Sequence, residues 1–174
     1  MNKIVVYFHG YASNAQTNKV QRLRDVGLTT HAWDINVDPK VSLPELTYKI
    51  DNMLLDDMHG IYKIFFVGTS LGAWYAANLG RLYGIEAILI NPCYNPRKSL
   101  AKYDLDRNIL DNYTSDIDFG FGQQVYIGTN DDVIDFSTVD FGDAPVTYVE
   151  GANHRFNEDF NLVIDYIKKF GENE

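Results

Sequence analysis

The sequence is poor in cysteine and in positive charge, and it has no long apolar run. Cys93 is the only cysteine, so these 174 residues can form neither an intrachain disulfide nor a metal site built from cysteines. No apolar stretch approaches the ~20 residues that a membrane-spanning helix needs. The first apolar run, residues 4–8, is shorter than a signal-peptide core of ~7–15 residues. We therefore expect a cytoplasmic protein without a membrane span.

The shortage of positive charge limits the partners. Lys and Arg number 15 against 24 Asp and Glu, a net charge of -9. Nucleic-acid binding depends on Lys and Arg side chains that neutralise phosphates, so we expect no nucleic-acid partner. The basic cluster at residues 19–24 is interpreted as a solvated helix face. The same acidity disfavours highly anionic substrates, unless the local charge at the site is positive.

Strand-like and helix-like segments alternate along a chain whose length suits one domain, residues 1–174. Short apolar strand candidates occupy residues 3–8, 29–34, 63–67, 87–91, 124–128 and 146–150. Amphipathic helix candidates occupy residues 18–26, 43–58, 71–83, 136–141 and 160–170. This alternation predicts an α/β fold in which helices cover both faces of a mostly parallel sheet.

The alternation is interrupted between residues 91 and 123. This segment contains two prolines, several tyrosines and many acidic residues, with short helices at most. Long irregular segments inside a domain are usually functional or disordered. We predict a lid-like insertion above the carboxyl edge of the sheet, where open α/β sheets bind ligands.

Residues 68–72 read Gly-Thr-Ser-Leu-Gly and join a strand candidate to a helix candidate. A G-x-S-x-G turn in this context is typical of a nucleophile elbow, in which the glycines remove Cβ atoms that would clash. The turn would leave the Ser70 hydroxyl exposed at its tip. Because a serine hydroxyl alone is a weak nucleophile, such a site needs a base and an orienting acid.

Two later strand candidates are followed by the required side chains. His154 comes after the last strand, where its imidazole could take the proton of Ser70. Asp131 comes after the fifth strand, but Asp132 and Asp135 are close enough that chemistry alone leaves the acid open among the three. A solvated turn rich in Asp and Asn is the alternative for this cluster. The chain order Ser, Asp, His is that of α/β-hydrolases.

The first strand candidate ends in His9-Gly10-Tyr11, where an oxyanion donor is expected. We predict that the backbone N–H groups of Tyr11 and Leu71 form the oxyanion hole. His9 is predicted to brace this loop rather than to transfer protons.

Five segments together resemble the small bacterial YqiA-type esterases of the α/β-hydrolase superfamily. They are Tyr-Phe-His-Gly-Tyr at 7–11, Gly-Thr-Ser-Leu-Gly-Ala at 68–73, Asn-Pro at 91–92, Asn-Asp-Asp-Val at 130–133 and Glu-Gly-Ala-Asn-His-Arg-Phe at 150–156. The resemblance runs over nearly the whole chain. It implies that Ser70 is the nucleophile, Asp131 the acid and His154 the base. Thr69, Ala73 and Asn130 depart from the family's usual residues, which predicts a narrowed or reshaped pocket.

By this resemblance the fold is a minimal α/β-hydrolase of six strands in the order 2-1-3-4-5-6. The implied activity is hydrolysis of carboxylic esters of small acyl substrates through an acyl-enzyme, with no cofactor and no metal. We expect Tyr11 and Tyr94 to contact the substrate. A thioesterase or amidase with the same residues and a catalytically idle binding module are the alternatives.

Overall fold

In the part of the chain that the structure describes, six parallel strands form one sheet in the order β2-β1-β3-β4-β5-β6. The computed structural model describes residues 2–56 and 62–171. Its strands are β1 (Asn2–Phe8), β2 (Thr29–Ala32), β3 (Tyr62–Thr69), β4 (Glu86–Ile90), β5 (Gln123–Asn130) and β6 (Val146–Asn153). Each lies within a few residues of its predicted position, so the predicted fold class and strand order are confirmed.

Two apolar layers enclose the sheet, one on each face. Alternate residues of β1 point to opposite sides: Val6 and Phe8 join one core cluster, and Val5 and Tyr7 join the other. This arrangement explains why the central strands are nearly continuous apolar runs, because a parallel sheet with helices on both faces has no solvated side.

The helices divide between these layers. They are α1 (Asn18–Asp25), α2 (Pro39–Asp56), α3 (Leu71–Tyr83), α4 (Pro96–Leu100), α5 (Arg107–Asp111) and α6 (Asn161–Lys169). Helices α2 and α3 cover one face, and α1 and α6 cover the other. Across the described ranges, none of the helices is both long enough and apolar enough to cross a bilayer.

Two predicted helical segments, 43–58 and 136–141, differ from the structure. Helix α2 begins at Pro39 rather than at residue 43, because Asp38 accepts the N–H of Lys40 (2.9 Å) and starts the helix earlier. Residues 57 and 58 of that prediction lie outside the described residues. The helix predicted at 136–141 is wrong: this segment has a turn at 137–138 and is otherwise irregular. The side chains of Asp135 and Asp140 accept backbone N–H groups two residues on, which favours turns over a helix.

Candidate active site

Ser70 occupies a strained turn between β3 and α3. Its φ of 55° and ψ of -119° lie outside the regions that residues with a side chain favour. A Cβ on Gly68 would lie 2.2 Å from the carbonyl oxygen of Gly72, and a Cβ on Gly72 would lie 2.0 Å from that of Phe8. Only glycine fits at either position. The glycines of the predicted elbow therefore let the turn pack directly against β1.

The structure brings Ser70, His154 and Asp131 together. The Nε2 atom of His154 lies 3.0 Å from Ser70 Oγ, and its Nδ1 atom lies 2.7 Å from Asp131 Oδ2. The Asp131 side chain is only 2% exposed, and its other oxygen accepts the N–H groups of Val133 (2.8 Å) and Ile134 (3.0 Å). These bonds orient the carboxylate, so that Nδ1 donates to Asp131 and Nε2 is left to accept a proton from Ser70. Asp131 therefore holds the position for which the sequence left three candidates.

The loop that carries His154 is fixed from both sides. The side chain of Asn153 accepts the backbone N–H groups of Arg155 (3.0 Å) and Phe156 (3.2 Å). Phe156 has a φ of 55°, and its ring is fully buried beneath the loop. The Asn-His-Arg-Phe segment is thus a tight turn with an apolar anchor, and this turn projects the imidazole toward Ser70.

Asn91 is a residue of this site to which the sequence analysis assigned no role. It is fully buried at the end of β4 with a φ of 42°. Its amide nitrogen donates to the carbonyls of Asn153 (3.0 Å) and His154 (3.1 Å), and its amide oxygen accepts the N–H of Gly128 (2.7 Å). Asn91 therefore joins β4, β5 and the His154 loop. Its place at the end of a buried strand candidate and in the Asn-Pro segment at 91–92 were the sequence signals that pointed to it.

The two predicted oxyanion donors are the backbone N–H groups of Leu71, which follows Ser70, and of Tyr11, which shares a cavity wall with Ser70. That of Leu71 belongs to the first turn of α3, where a helix leaves its N–H groups without an internal partner. In the described part of the chain, neither this group nor the N–H of Tyr11 donates to a protein atom. His9 is 5% exposed; its Nδ1 donates to the Gly10 carbonyl (2.8 Å) and its Nε2 accepts the N–H of Ile35 (2.9 Å). It braces the loop that carries Tyr11, as predicted.

Cavities lie on both sides of Tyr11. One of about 520 Å³ contains Ser70 and His154 in its wall, together with Tyr103 and Lys19. A smaller one of about 240 Å³ is lined by Tyr11, Leu71 and mostly apolar neighbours. Ser70 belongs to the wall of the larger cavity, and its neighbour Leu71 belongs to the wall of the smaller one.

Tyr94 and Lys19 lie in surroundings that the sequence did not predict. Tyr94 is not among the residues lining either cavity; its hydroxyl donates to the carbonyl of Asp135 (3.4 Å) and its ring packs near Phe136. The substrate contact expected of Tyr94 stays a prediction. The interpretation of residues 19–24 as a solvated face is wrong for Lys19, which is 6% exposed. Its chain packs inward because α1 lies against the loop after His154, whose polar atoms hold the ammonium.

The irregular segment 91–123 is attached to the body of the fold. The indole nitrogen of Trp74 donates to the carbonyl of Ser115 (2.8 Å), and the buried Tyr113 ring packs against Trp74 at a centroid distance of 5.1 Å. At the other end, the ring of Tyr103 lies 4.7 Å from that of Tyr11 and forms part of the wall of the larger cavity. The segment therefore contributes one wall of the candidate site.

The sheet order, the elbow and the Ser-Asp-His arrangement at three strand ends define an α/β-hydrolase fold. The chain belongs to the family described as "Uncharacterised protein family (UPF0227)", whose model matches residues 4–119. This confirms the family that the sequence motifs predicted.

Relatives and solved structures agree with this assignment. A UPF0227 protein of Shewanella sediminis is 30% identical over 106 residues, covering 56% of this chain and 55% of that protein, so the match spans about half of that relative. A UPF0227 protein of Yersinia pseudotuberculosis is 26% identical and covers 96% of this chain and 98% of that protein. Two solved structures share the fold. Est1E from Butyrivibrio proteoclasticus has a TM-score of 0.72 and 14% identity over 97% of this chain and 86% of its own. The Pyrobaculum calidifontis esterase has a TM-score of 0.60 and 17% identity over 97% and 76%.

Proposed function

We propose that this protein is a serine hydrolase that cleaves carboxylic ester bonds of small acyl substrates. The observation that carries the proposal is the chain of contacts from Ser70 Oγ to His154 Nε2 (3.0 Å) and from His154 Nδ1 to Asp131 Oδ2 (2.7 Å). A strained turn presents the serine, and a buried, hydrogen-bonded carboxylate orients the imidazole. This combination is what nucleophilic catalysis by a serine requires.

In the proposed mechanism, Ser70 Oγ attacks the ester carbonyl while His154 Nε2 accepts the hydroxyl proton. The negative charge moves to the carbonyl oxygen, where the N–H groups of Leu71 and Tyr11 stabilise it by roughly 3 kcal/mol each. The C–O bond to the alcohol then breaks, and His154 donates its proton to the departing oxygen. Water, deprotonated by His154, next attacks the acyl-enzyme, and Ser70 recovers its proton as the acid is released.

Cavity size supports small substrates over peptides. The space beside Ser70 measures about 520 Å³, within the range of about 300–1,000 Å³ typical of small-molecule sites. The name of the Pyrobaculum calidifontis protein, an esterase, favours the same reaction class. Thioester or amide hydrolysis would use the same residues and is the second candidate. A catalytically idle binding module would have no use for a correctly oriented imidazole.

A lid-like role of residues 91–123 within one domain is part of the proposal. Tyr103 supports it, because this side chain leaves the segment to form a wall of the cavity and packs on Tyr11. The attachment of the same segment at Trp74 and Tyr113 argues for a cover that stays in place rather than one that swings open.

The first experiment is labelling with a fluorophosphonate followed by peptide mapping, which requires no knowledge of the substrate. We expect rapid adduct formation on Ser70, none in Ser70→Ala, and at least a hundredfold slower labelling in His154→Ala, because the base is lost. Circular dichroism would verify that each variant is folded. A folded parent protein that forms no adduct would contradict the proposal and favour the binding-module alternative.

A matched pair of carboxylates tests the acid. Asp131→Asn should lower kcat/KM for a 4-nitrophenyl ester by two or more orders of magnitude, because the amide cannot hold the imidazole in the required tautomer. Asp132→Asn changes an exposed neighbour and should stay within threefold of the parent. The reverse ranking would move the acid by one position.

A further inference from the structure

Cationic side chains collect on one side of the larger cavity. Lys19 and Arg155 both belong to its wall, which also contains Ser70 and His154. Arg22 stands behind them, where its guanidinium donates to the Asn157 carbonyl and to Asn161 Oδ1 (2.6 Å). In residues 2–56 and 62–171, none of these three cations has a carboxylate oxygen within 4.0 Å. The charge on this side of the cavity is therefore positive, although the net charge of the chain is -9.

Lys19 is the most unusual of the three, since a buried ammonium normally has a carboxylate partner. Its Nζ donates to two neutral acceptors, the Arg155 carbonyl (2.5 Å) and Asn157 Oδ1 (2.7 Å). An ammonium has three N–H groups, and the third has no oxygen or nitrogen acceptor in the described ranges; the ammonium also lies 5.8 Å from the centroid of the buried Phe160 ring. Burial, reinforced by the cations of Arg22 and Arg155, lowers the pKa of Lys19 to about 8. A bound anion would relieve this cost.

Arg155 differs from Lys19 because its side chain is exposed and its donors are unoccupied by any described residue. It is exposed, and its guanidinium forms neither a hydrogen bond nor an ion pair with the described residues. Its backbone is nevertheless fixed by the Asn153 side chain directly beside His154. Arg155 belongs to the same cavity wall as Ser70, and no described residue occupies the donors of its guanidinium, which are suited to a carboxylate or a phosphate.

We propose that the cavity beside Ser70 binds a substrate that carries a carboxylate or phosphate group, held by Lys19 Nζ and the Arg155 guanidinium while the ester carbonyl lies at Ser70. The inference rests on the proposed hydrolase function and specifies its substrate class. The positive potential of Lys19, Arg22 and Arg155 would also attract such substrates to a protein whose net negative charge otherwise repels anions.

Matched ester pairs provide the test. One pair places the charge on the alcohol side: 4-acetoxybenzoate against its methyl ester. The other places it on the acyl side: 4-nitrophenyl hydrogen glutarate against 4-nitrophenyl pentanoate. A third anionic ester, 4-acetoxyphenyl phosphate, distinguishes phosphate from carboxylate. Its kcat/KM is compared with that of the neutral methyl ester of 4-acetoxybenzoate. The readout is the ratio of kcat/KM for the anionic ester to that for its neutral partner, so general effects of a substitution on turnover cancel.

We expect Arg155→Gln to lower this ratio by roughly tenfold to a hundredfold for at least one pair, which is the loss expected for one charge-assisted hydrogen bond. Lys19→Met should have a similar effect, but it also removes two internal contacts, so the exposed Arg155 is the decisive position. Arg24→Gln is the control, because it removes the same charge from α1 at a position outside the cavity wall. Unchanged ratios within twofold in Arg155→Gln for both pairs and for the phosphate ester would overturn the inference.

A binding measurement separates this inference from the hydrolase proposal. Isothermal titration of the Ser70→Ala protein with 4-hydroxybenzoate and with inorganic phosphate requires no turnover. We expect binding of at least one anion that weakens tenfold or more in the Ser70→Ala/Arg155→Gln double variant. Anion binding without hydrolysis of any ester would refute the hydrolase proposal and leave the anion site standing. Hydrolysis with no anion binding and no charge preference would refute the anion site alone.

Discussion

Replacing Asn91 tests whether one buried amide holds the candidate site together. In Asn91→Ala, three hydrogen bonds disappear. The Asn153 carbonyl keeps a second donor, the N–H of Phe156 (3.1 Å), but the Gly128 N–H and the His154 carbonyl lose the partner that Asn91 provides. Each buried polar group left without a partner costs about 1–3 kcal/mol, so the loss at these two groups should lower the free energy of unfolding by about 2–6 kcal/mol.

Backbone strain adds a second, separable component. Asn91 has a φ of 42°, a region that asparagine tolerates and alanine disfavours by about 1–2 kcal/mol. Asn91→Gly removes the same hydrogen bonds without that strain and should therefore be about 1 kcal/mol more stable than Asn91→Ala. The exposed Asn14 accepts one N–H of a surface turn, and Asn14→Ala, as the control, should cost less than 1 kcal/mol.

Urea denaturation followed by tryptophan fluorescence measures these differences, and the rate of fluorophosphonate labelling of Ser70 measures the effect on the site. We expect labelling of both Asn91 variants to slow at least tenfold under conditions where they remain folded, because the His154 loop loses two of its hydrogen bonds. A loss of less than 1 kcal/mol in the free energy of unfolding, with an unchanged labelling rate, would refute the assignment of Asn91 as a positioning residue.

Three further predictions concern the elbow and the buried lysine. Ser70→Gly should raise the free energy of unfolding by about 1–2 kcal/mol while abolishing turnover, because it relieves the backbone strain at φ 55°; equal stabilities of the Gly and Ala variants in urea denaturation would contradict this. Gly72→Ala should cost at least about 3 kcal/mol or prevent folding, since its Cβ would lie 2.0 Å from a backbone oxygen, whereas Gly120→Ala meets open space and should be near neutral by the same measurement. The pKa of Lys19 is lowered from 10.5 to about 8, so between these pH values the unfolded chain binds more protons, and the parent should gain stability relative to Lys19→Met from pH 7.5 to pH 9.5. A difference that does not change with pH would show that the ammonium is not destabilised by burial.

The sheet and the three polar side chains could be predicted because their patterns are local. Each strand is a short apolar run, and a parallel sheet places all the carboxyl ends at one edge, so Ser70, Asp131 and His154 had to lie near one another. Their positions after strand candidates placed them at that edge, but the choice of Asp131 over Asp132 and Asp135 needed the family resemblance.

Long-range contacts explain what the sequence did not reveal. The environment of Lys19 depends on Asn157 and on the Arg155 carbonyl, which belong to the other end of the chain. A run of basic residues gives no indication that one of them is buried. Asn91 likewise has partners on β5 and after β6, and only the folded sheet brings them within reach of its amide.

His154 directly follows β6, an edge strand of the sheet. The proposed reactivity of Ser70 would therefore measure how far folding of the chain has progressed. The proposed nucleophile, Ser70, and the proposed base, His154, are 84 residues apart, so a refolding chain that has formed β1 to β4 already contains the elbow but does not yet have the imidazole beside it. Closing such long loops is the slow part of assembling parallel sheets. In a refolding experiment, the return of fluorophosphonate reactivity would therefore time the docking of the edge strand, after fluorescence has recorded the burial of the core.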